Sequence, residues 1–420
     1  VEVTLSRRSG VEIRAAAPPS KSLTHRALVA AALAEGVSEV LRPLVAEDTT
    51  LTRQGLEAMG VAVAGSGDDL SVRGCGGRFR TEGPVTLDLK NSGTSLRLLA
   101  GVATLSSFPV TLTGSARMQE RPVGPLGDAI AALGGTVDYP GHAGYPPITV
   151  CGPAGGGAAA IRGDISSQFV SSLLMAAPCW EDGLDLTLTP PLVSASYLDL
   201  TTAVMEAFGV SARRDGGHFS VPPGTYRART YAVEGDWSSA SYFFAVAAVC
   251  GGRAVVENLD PASLQGDRLF VEALETMGAS VRYGEDGIVL ESDGDLDGIE
   301  ADMSAAPDTV QTLAAVAAFA RGPTRITGIA HLRYKESDRI AAIERVLGSA
   351  GARVTVEEDA VTITPGPLHA ATVDPANDHR TAMSAAVIGL GTGGMCILNA
   401  GCVDKSFPGF WEALQGAGLI

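Results

Sequence analysis

The sequence predicts an α/β protein of two domains, each built from three copies of one strand-and-helix unit with an apolar helix enclosed by sheet. Three observations carry this. A helix that ends in glycine and runs into a strand recurs six times, an Ala-rich helix apolar on most faces recurs once per period, and a short strand with a polar loop precedes each apolar helix.

The glycine-ended helices read LEAMG, IAALG, VMEAFG, LETMG, VLGSAG and ALQGAG, closing at Gly60, Gly134, Gly209, Gly278, Gly351 and Gly418, 67 to 75 residues apart. Such regular spacing marks a repeat, too long for a common solenoid. Each glycine is expected just past its helix in the left-handed conformation. The second helix of each period runs LTHRALVAAALAEG, TSLRLLAGVATL, QFVSSLLMAAP, SASYFFAVAAVCGG, VQTLAAVAAFARG or RTAMSAAVIGLGTGG. A helix apolar nearly all round is buried. Ahead of these lie IRAAAPPSKS, LDLKNSG, IRGDISS, AVEGDWSS, IEADMSAAPD and ATVDPANDH, each a strand leading into a polar loop. The unit is therefore strand, polar loop, buried helix, strand, amphipathic helix, strand, strand. The last copy lacks its closing strands, so the stretch Val1 to Arg14, which alternates like a strand, is expected to complete the C-terminal domain. The chain then crosses twice, near Pro18 to Ser20 and near Glu234 to Asp236, giving domains 20–234 and 1–19 plus 235–420.

Composition limits the function. The 420 residues carry a net charge of −16, and of 31 Lys plus Arg only Lys21, Lys90, Lys335 and Lys405 are lysine. An acidic excess argues against nucleic-acid or anionic-membrane partners, which need a dense basic surface. The six cysteines form no C-x-x-C pair and sit in apolar or small-residue stretches, as core thiols do in a reducing cytoplasm. The amino terminus lacks the apolar run of a signal peptide, and no stretch reaches the roughly 18 apolar residues of a membrane span. A cytoplasmic monomer is expected.

Small anions are a different matter. The polar loops occupy helix starts, where unpaired backbone N–H groups and the helix dipole attract negative charge. Lys21, Arg26, Arg97, Arg121, Lys335, Arg339, Arg380 and Lys405 lie in or near these loops. Helix starts converging on an interdomain cleft would give an acidic protein a positive pocket. Standard motifs are missing: PPSKS at Lys21 lacks the glycines of a phosphate loop, no G-x-S-x-G occurs, and the six histidines show no metal-ligand spacing. No metal and no cofactor are expected.

The residues P-S-K-S-x-T-H-R at Pro19, N-S-G-T-S-x-R at Asn91, R-M-Q-E-R-P at Arg117, S-S-Q-F at Ser166, K-E-S-D-R at Lys335, N-D-H-R at Asn377 and K-S-F-P at Lys405 follow in order. Together they make the chain resemble the 5-enolpyruvylshikimate-3-phosphate (EPSP) synthase family, the 3-phosphoshikimate 1-carboxyvinyltransferases, over essentially its whole length. The resemblance implies an inside-out α/β barrel in each of two domains, built from βαβαββ repeats, with closure around the ligands. It implies transfer of the enolpyruvyl group of phosphoenolpyruvate to the 5-hydroxyl of shikimate 3-phosphate through a tetrahedral intermediate, with phosphate released, in aromatic amino acid biosynthesis.

Carried over residue by residue, the resemblance assigns Lys21, Ser22, Arg26, Ser166, Ser167, Gln168, Ser194, Tyr197, Asp308, His331 and Lys335 to shikimate 3-phosphate. It assigns Lys21, Asn91, Gly93, Arg121, Gln168, Arg339, Arg380 and Lys405 to phosphoenolpyruvate. Asp308 is the expected base, Glu336 the carrier of the methylene proton, and Lys21 an electrostatic partner in catalysis. His331 stands where many bacterial members have Asn, and pH-sensitive binding is expected from it. Leu98 stands where many have Pro, which bears on glyphosate, an inhibitor of the phosphoenolpyruvate site in this family. The nearest rival is the sister enolpyruvyl transferase acting on UDP-N-acetylglucosamine, but 114–125 contains no reactive cysteine and Ser166-Ser167-Gln168 is present. The other rival is a noncatalytic anion-binding relative, against which Lys21, Asp308, Glu336 and Lys405 all stand intact.

Overall fold

A computed structural model describes residues 1–65, 67–79, 83–190 and 192–420. The chain forms two compact units, Val1–Pro18 with Glu234–Ile420, and Pro19–Val233.

The six repeat glycines all close their helices in one way. Their φ angles lie between 71° and 112°, a region open to glycine at little cost. At the first of them Gly60 N–H donates to Glu57 O and Val61 N–H to Leu56 O, the paired bonds of a Schellman cap, and the same pair recurs at the other five. After the first five of these glycines the chain leads into the next strand.

Each of five four-stranded sheets has one pattern, seen in Val85–Asp88, Val110–Thr113, Ile148–Cys151 and Thr136–Asp138, in that spatial order. The first two strands are parallel and the rest antiparallel. In three of the five an inner helix connects the parallel pair, as a parallel connection requires.

The N-terminal stretch is two strands, not one. Gly10, at φ 61°, separates Val3–Leu5 from Val11–Ala15. Val3–Leu5 runs antiparallel to Met395–Ile397 and completes the last sheet, which has three strands among the described residues. Val11–Ala15 runs parallel to Gly252–Val256, while Thr230–Ala232 runs parallel to Val37–Leu41. The strands leading into the first and fourth inner helices thus exchange sheets, and the chain passes between the units after each.

The inner helices Lys21–Leu33, Gly93–Ala103 and Ser167–Ala176 form the core of one unit, and Trp237–Cys250, Val310–Ala317 and His379–Thr392 that of the other. Every residue from Trp237 to Val249 is buried. Their small residues allow close approach: a Cβ on Gly101 would overlap the Ser172 carbonyl of the neighbouring helix. Ser172 Oγ uses that proximity, accepting from Gly101 N at 2.9 Å and donating to Arg97 O at 2.5 Å.

Candidate functional site

In the Pro19–Val233 unit, the polar loops place their side chains at the starts of the inner helices. Ser20 caps the first helix, its Oγ accepting from Leu23 N, and this sets Lys21 at the first helical position. Lys21 is 8% exposed, and its Nζ meets Asp48 Oδ2 at 3.1 Å. Arg26, one turn on, is fully buried. Its guanidinium donates to Thr201 Oγ1 at 2.8 Å, Ser22 O at 2.9 Å, Tyr197 O at 3.1 Å and Ser171 Oγ at 3.2 Å. Burial, partly opposed by Tyr197, lowers its pKa to about 10. Arg26 thereby ties the Lys21, Ser167 and Ser196–Ala207 helices together around Tyr197.

The second inner helix begins at Gly93 without a side-chain cap. Arg121, 2% exposed, donates from Nη1 to Asn91 O at 3.0 Å and Asn91 Oδ1 at 3.2 Å, which holds its guanidinium against Gly93. A Cβ at residue 93 would collide with that guanidinium. The result is a positive group beside uncapped backbone N–H donors, the composition of an anion site.

Gln168 stands between two other groups. Its Oε1 accepts from Arg97 Nη1 at 2.6 Å and its Nε2 donates to Thr94 Oγ1 at 2.8 Å. Arg97 is buried over the ring of Phe169, 5.3 Å from its centroid. Ser166 and Ser167 are buried, Ser166 capping the helix through Gln168 N at 3.2 Å. Ser194 is buried with φ 55°, an uncommon conformation for a residue with a side chain.

In the other unit, the candidate residues converge on one arginine. Arg339 is 2% exposed and meets three carboxylates: Asp308 Oδ1 at 2.9 Å, Glu336 Oε2 at 2.8 Å and Asp378 Oδ2 at 3.1 Å. Burial alone would lower its pKa, but Asp378, Glu336 and Asp308 outweigh it and hold the guanidinium above its ordinary range. Arg380 Nη2 takes the second oxygen of Asp308 at 2.8 Å and Ser238 Oγ at 2.9 Å. Asp308 is therefore gripped by both arginines, in the turn before the helix Val310–Ala317. Asp378, fully buried, caps the helix that carries Arg380, accepting Arg380 N at 3.0 Å and Ser337 Oγ at 2.8 Å.

His331 is 2% exposed, at the short turn Ala330–Tyr334. Burial, reinforced by Lys335 and Arg339 and opposed by Asp308, pushes its pKa down to about 3. These surroundings favour the neutral imidazole. Lys405 is 6% exposed at the end of the turn Ala400–Lys405, and Lys335 is half-buried.

Sequence reasoning missed the residues that hold the candidates. Asp48, partner of Lys21, is an acid at a helix start with no motif around it. Asp378 lies inside N-D-H-R, but its pairing with Arg339 bridges 39 residues and has no local signal. Lys90 and Arg117 form exposed pairs, with Glu47 at 3.3 Å and Glu120 at 3.0 Å. Two cavities of the Pro19–Val233 unit, about 600 Å³ beside Cys75 and Cys179 and about 290 Å³ beside Thr49 and Arg53, contain none of the candidates. Among the described residues, no three His, Cys, Asp or Glu are grouped to hold a metal ion, and no helix is long and apolar enough to cross a membrane.

A profile of the family described as EPSP synthase (3-phosphoshikimate 1-carboxyvinyltransferase) matches residues 7–414. The chain belongs to the EPSP synthase family. A 3-phosphoshikimate 1-carboxyvinyltransferase of Methanoculleus marisnigri is 58% identical, with 100% of both chains covered. One from Methanoregula boonei is 55% identical, over 98% of this chain and 99% of that one. The EPSP synthase structure from Acinetobacter baumannii, determined at 2.37 Å, superposes with a TM-score of 0.81 at 29% identity, covering 100% of this chain and 98% of that chain. The two-domain inside-out α/β architecture expected from the sequence is that of EPSP synthases.

Proposed function

We infer that the protein transfers the enolpyruvyl group of phosphoenolpyruvate to the 5-hydroxyl of shikimate 3-phosphate, releasing phosphate, in aromatic amino acid biosynthesis. The observation that carries this is 58% identity over the full chain to a 3-phosphoshikimate 1-carboxyvinyltransferase. The rival sugar-nucleotide substrate finds no comparable support.

The roles of individual residues follow from charge and position. The substrates bring two phosphates and two carboxylates, and arginine forks and lysine point charges suit these groups. We assign shikimate 3-phosphate to Lys21, Ser22, Arg26, Ser166, Ser167, Gln168, Ser194 and Tyr197 of one unit and to Asp308, His331 and Lys335 of the other. Phosphoenolpyruvate is assigned to Lys21, Asn91, Gly93, Arg121 and Gln168, and to Arg339, Arg380 and Lys405. Because its guanidinium already donates to four protein oxygens, Arg26 acts on its ligand mainly by fixing Ser22 and Tyr197.

In the addition step, the 5-hydroxyl oxygen bonds to C2 of phosphoenolpyruvate, its proton passes to a base, and C3 gains a proton to become a methyl group. In the elimination step, the C2–phosphate bond breaks and the methyl group returns a proton, restoring the methylene. Asp308, an acceptor on two arginines, serves as the base, and Glu336 delivers and recovers the carbon proton. Arg339 and Arg380 hold Asp308 through both of its carboxylate oxygens. The same reading has the enzyme act as a cytoplasmic monomer without nucleic-acid or membrane partners.

Phosphate release tests the assignment. The protein should release phosphate only with both substrates together, and not with either alone or with UDP-N-acetylglucosamine in place of shikimate 3-phosphate. Folded protein that is silent with both substrates would refute it.

A further inference from the structure

The helices Val310–Ala317 and His379–Thr392 pack on each other in the core of their unit. Their starts carry the Asp308–Arg380 pair. Directly below it, Gln311 Nε2 donates to Thr381 Oγ1 at 2.8 Å. Gln311 is 5% exposed, and its surroundings are apolar: Ala314, Ala315, Ile343, Val346 and Ile388 line the same small cavity, which has about 10 Å³ of room.

A glutamine here is costly. Its Oε1, and the Oγ of Ser384 across the cavity, have no hydrogen-bond partner among the described protein groups. A buried amide left half-satisfied costs roughly 1–3 kcal/mol, whereas methionine would fill the space without that cost. What the amide contributes is a fixed link between two helices at one height. The next residue extends the tie: Thr312 Oγ1 accepts from Ser241 Oγ at 3.3 Å, on the helix whose Ser238 accepts from Arg380. Gln311 is three residues from Asp308, and Thr381 directly follows Arg380, so any slide of one helix along the other acts on the 2.8 Å contact between carboxylate and guanidinium.

We propose that Gln311 is a positioning residue for the enolpyruvyl transfer, its amide locking the Asp308 end of one inner helix to the Arg380 end of another. This rests on the function proposed above. Gln311 touches no substrate; it acts through Asp308 and Arg380. The tests are Gln311→Met and Thr381→Val, near-isosteric changes that delete the bond, and the double variant. Each single variant should lower kcat by roughly ten- to a hundredfold, the scale of a small misplacement of a reacting group, with both KM values within about twofold. The double variant should be no slower than either single one, because both delete the same link. The melting temperature of Gln311→Met should hold or rise, separating positioning from a loss of fold. A crystal structure of Gln311→Met should show the Asp308–Arg380 contact beyond hydrogen-bond reach. Full kcat in Gln311→Met, additive losses in the double variant, or an unchanged contact in the crystal would each overturn the proposal. If the unaltered protein released no phosphate, the function would fall, and the crystallographic contact would still decide the positioning role.

Discussion

Replacing Arg339 by leucine removes a cation shared by Asp308, Glu336 and Asp378. The side chains concerned are 2% exposed for Arg339, 0% for Asp378, 10% for Glu336 and 19% for Asp308. Asp308 keeps Arg380, and Asp378 keeps Ser337 Oγ and Arg380 N. Removing one partner of a buried pair typically costs about 3–5 kcal/mol, because a charge is left in a poor solvent. For a unit of this size 1 kcal/mol is worth about 2–4 °C, so the melting temperature of the unit should fall by roughly 6–20 °C.

The sign of the pH dependence is fixed by the same argument. Burial without a counter-cation raises the pKa of a carboxylate in the folded state above that in the unfolded chain. A carboxylate raised in this way favours the folded state below its unfolded pKa and loses that advantage as pH rises through its folded pKa. The stability gap between Arg339→Leu and the parent should therefore be widest at pH 8 and narrow toward pH 5. Calorimetry at the two pH values measures it. A drop under about 2 °C, or a gap that widens on acidification, would refute the view that Arg339 neutralises three buried acids.

Asp308→Asn should leave binding of both substrates largely intact and lower turnover by roughly 10²- to 10⁴-fold; loss of binding with unchanged turnover per bound complex would remove Asp308 as the base. Gly93→Ala should raise the KM for phosphoenolpyruvate at least about tenfold, the equivalent of 1.4 kcal/mol, because the new methyl displaces the Arg121 guanidinium. Its melting temperature should hold, since Gly93 has no left-handed backbone and alanine favours the helix it starts. His331 should show a neutral imidazole by NMR down to about pH 4, as its pKa of about 3 requires. Its folded pKa lies below the unfolded value, so its effect is a loss of stability as pH falls from about 6.5 toward 3.

The parts of the fold legible in the sequence are those set by neighbours in the chain. A glycine past a helix end acts on the last turn of that helix, so the six-fold period could be read directly from residues such as Gly60 and Gly278. The all-round apolar character of Trp237–Cys250 likewise follows from composition alone. Strand exchange was harder to read, because pairing Val11–Ala15 with Gly252–Val256 is a tertiary choice with no local mark. The turn at Gly10 that divides the N-terminal stretch was missed for the same reason. In the candidate site, motif residues were legible as cations and acids, but their partners were not. Arg26 looked like a ligand and is found donating to Thr201 and Ser171, which lie 175 and 145 residues away. Within K-E-S-D-R only Lys335, Glu336 and Arg339 had expected roles, and the other two residues support the site: Asp338 caps its own helix and Ser337 donates to Asp378.

The paired state of these cations explains how an acidic protein can suit acidic ligands. With a net charge of −16, arginines waiting alone in a dry pocket would be poorly solvated and free to find stray surface carboxylates. Here Lys21, Arg339 and Arg380 have designated ones: Asp48 for Lys21, Asp308, Glu336 and Asp378 for Arg339, and Asp308 again for Arg380. These carboxylates hold the donors in alignment, so less ordering remains to be done when a substrate anion arrives. The pairs also leave charge to spare. In the Val1–Pro18 and Glu234–Ile420 unit, the candidate set comprises Lys335, Arg339, Arg380 and Lys405 against Asp308, Glu336 and Asp378. In the other unit, Lys21, Arg26, Arg97 and Arg121 stand against Asp48. Both sets are net positive inside a chain that is strongly negative, and the excess is smaller in the unit that carries Asp308 and Glu336, the proposed proton carriers. A purely cationic clamp would bind tightly and leave no base; on the function proposed above, Asp308 among the acids on Arg339 supplies one.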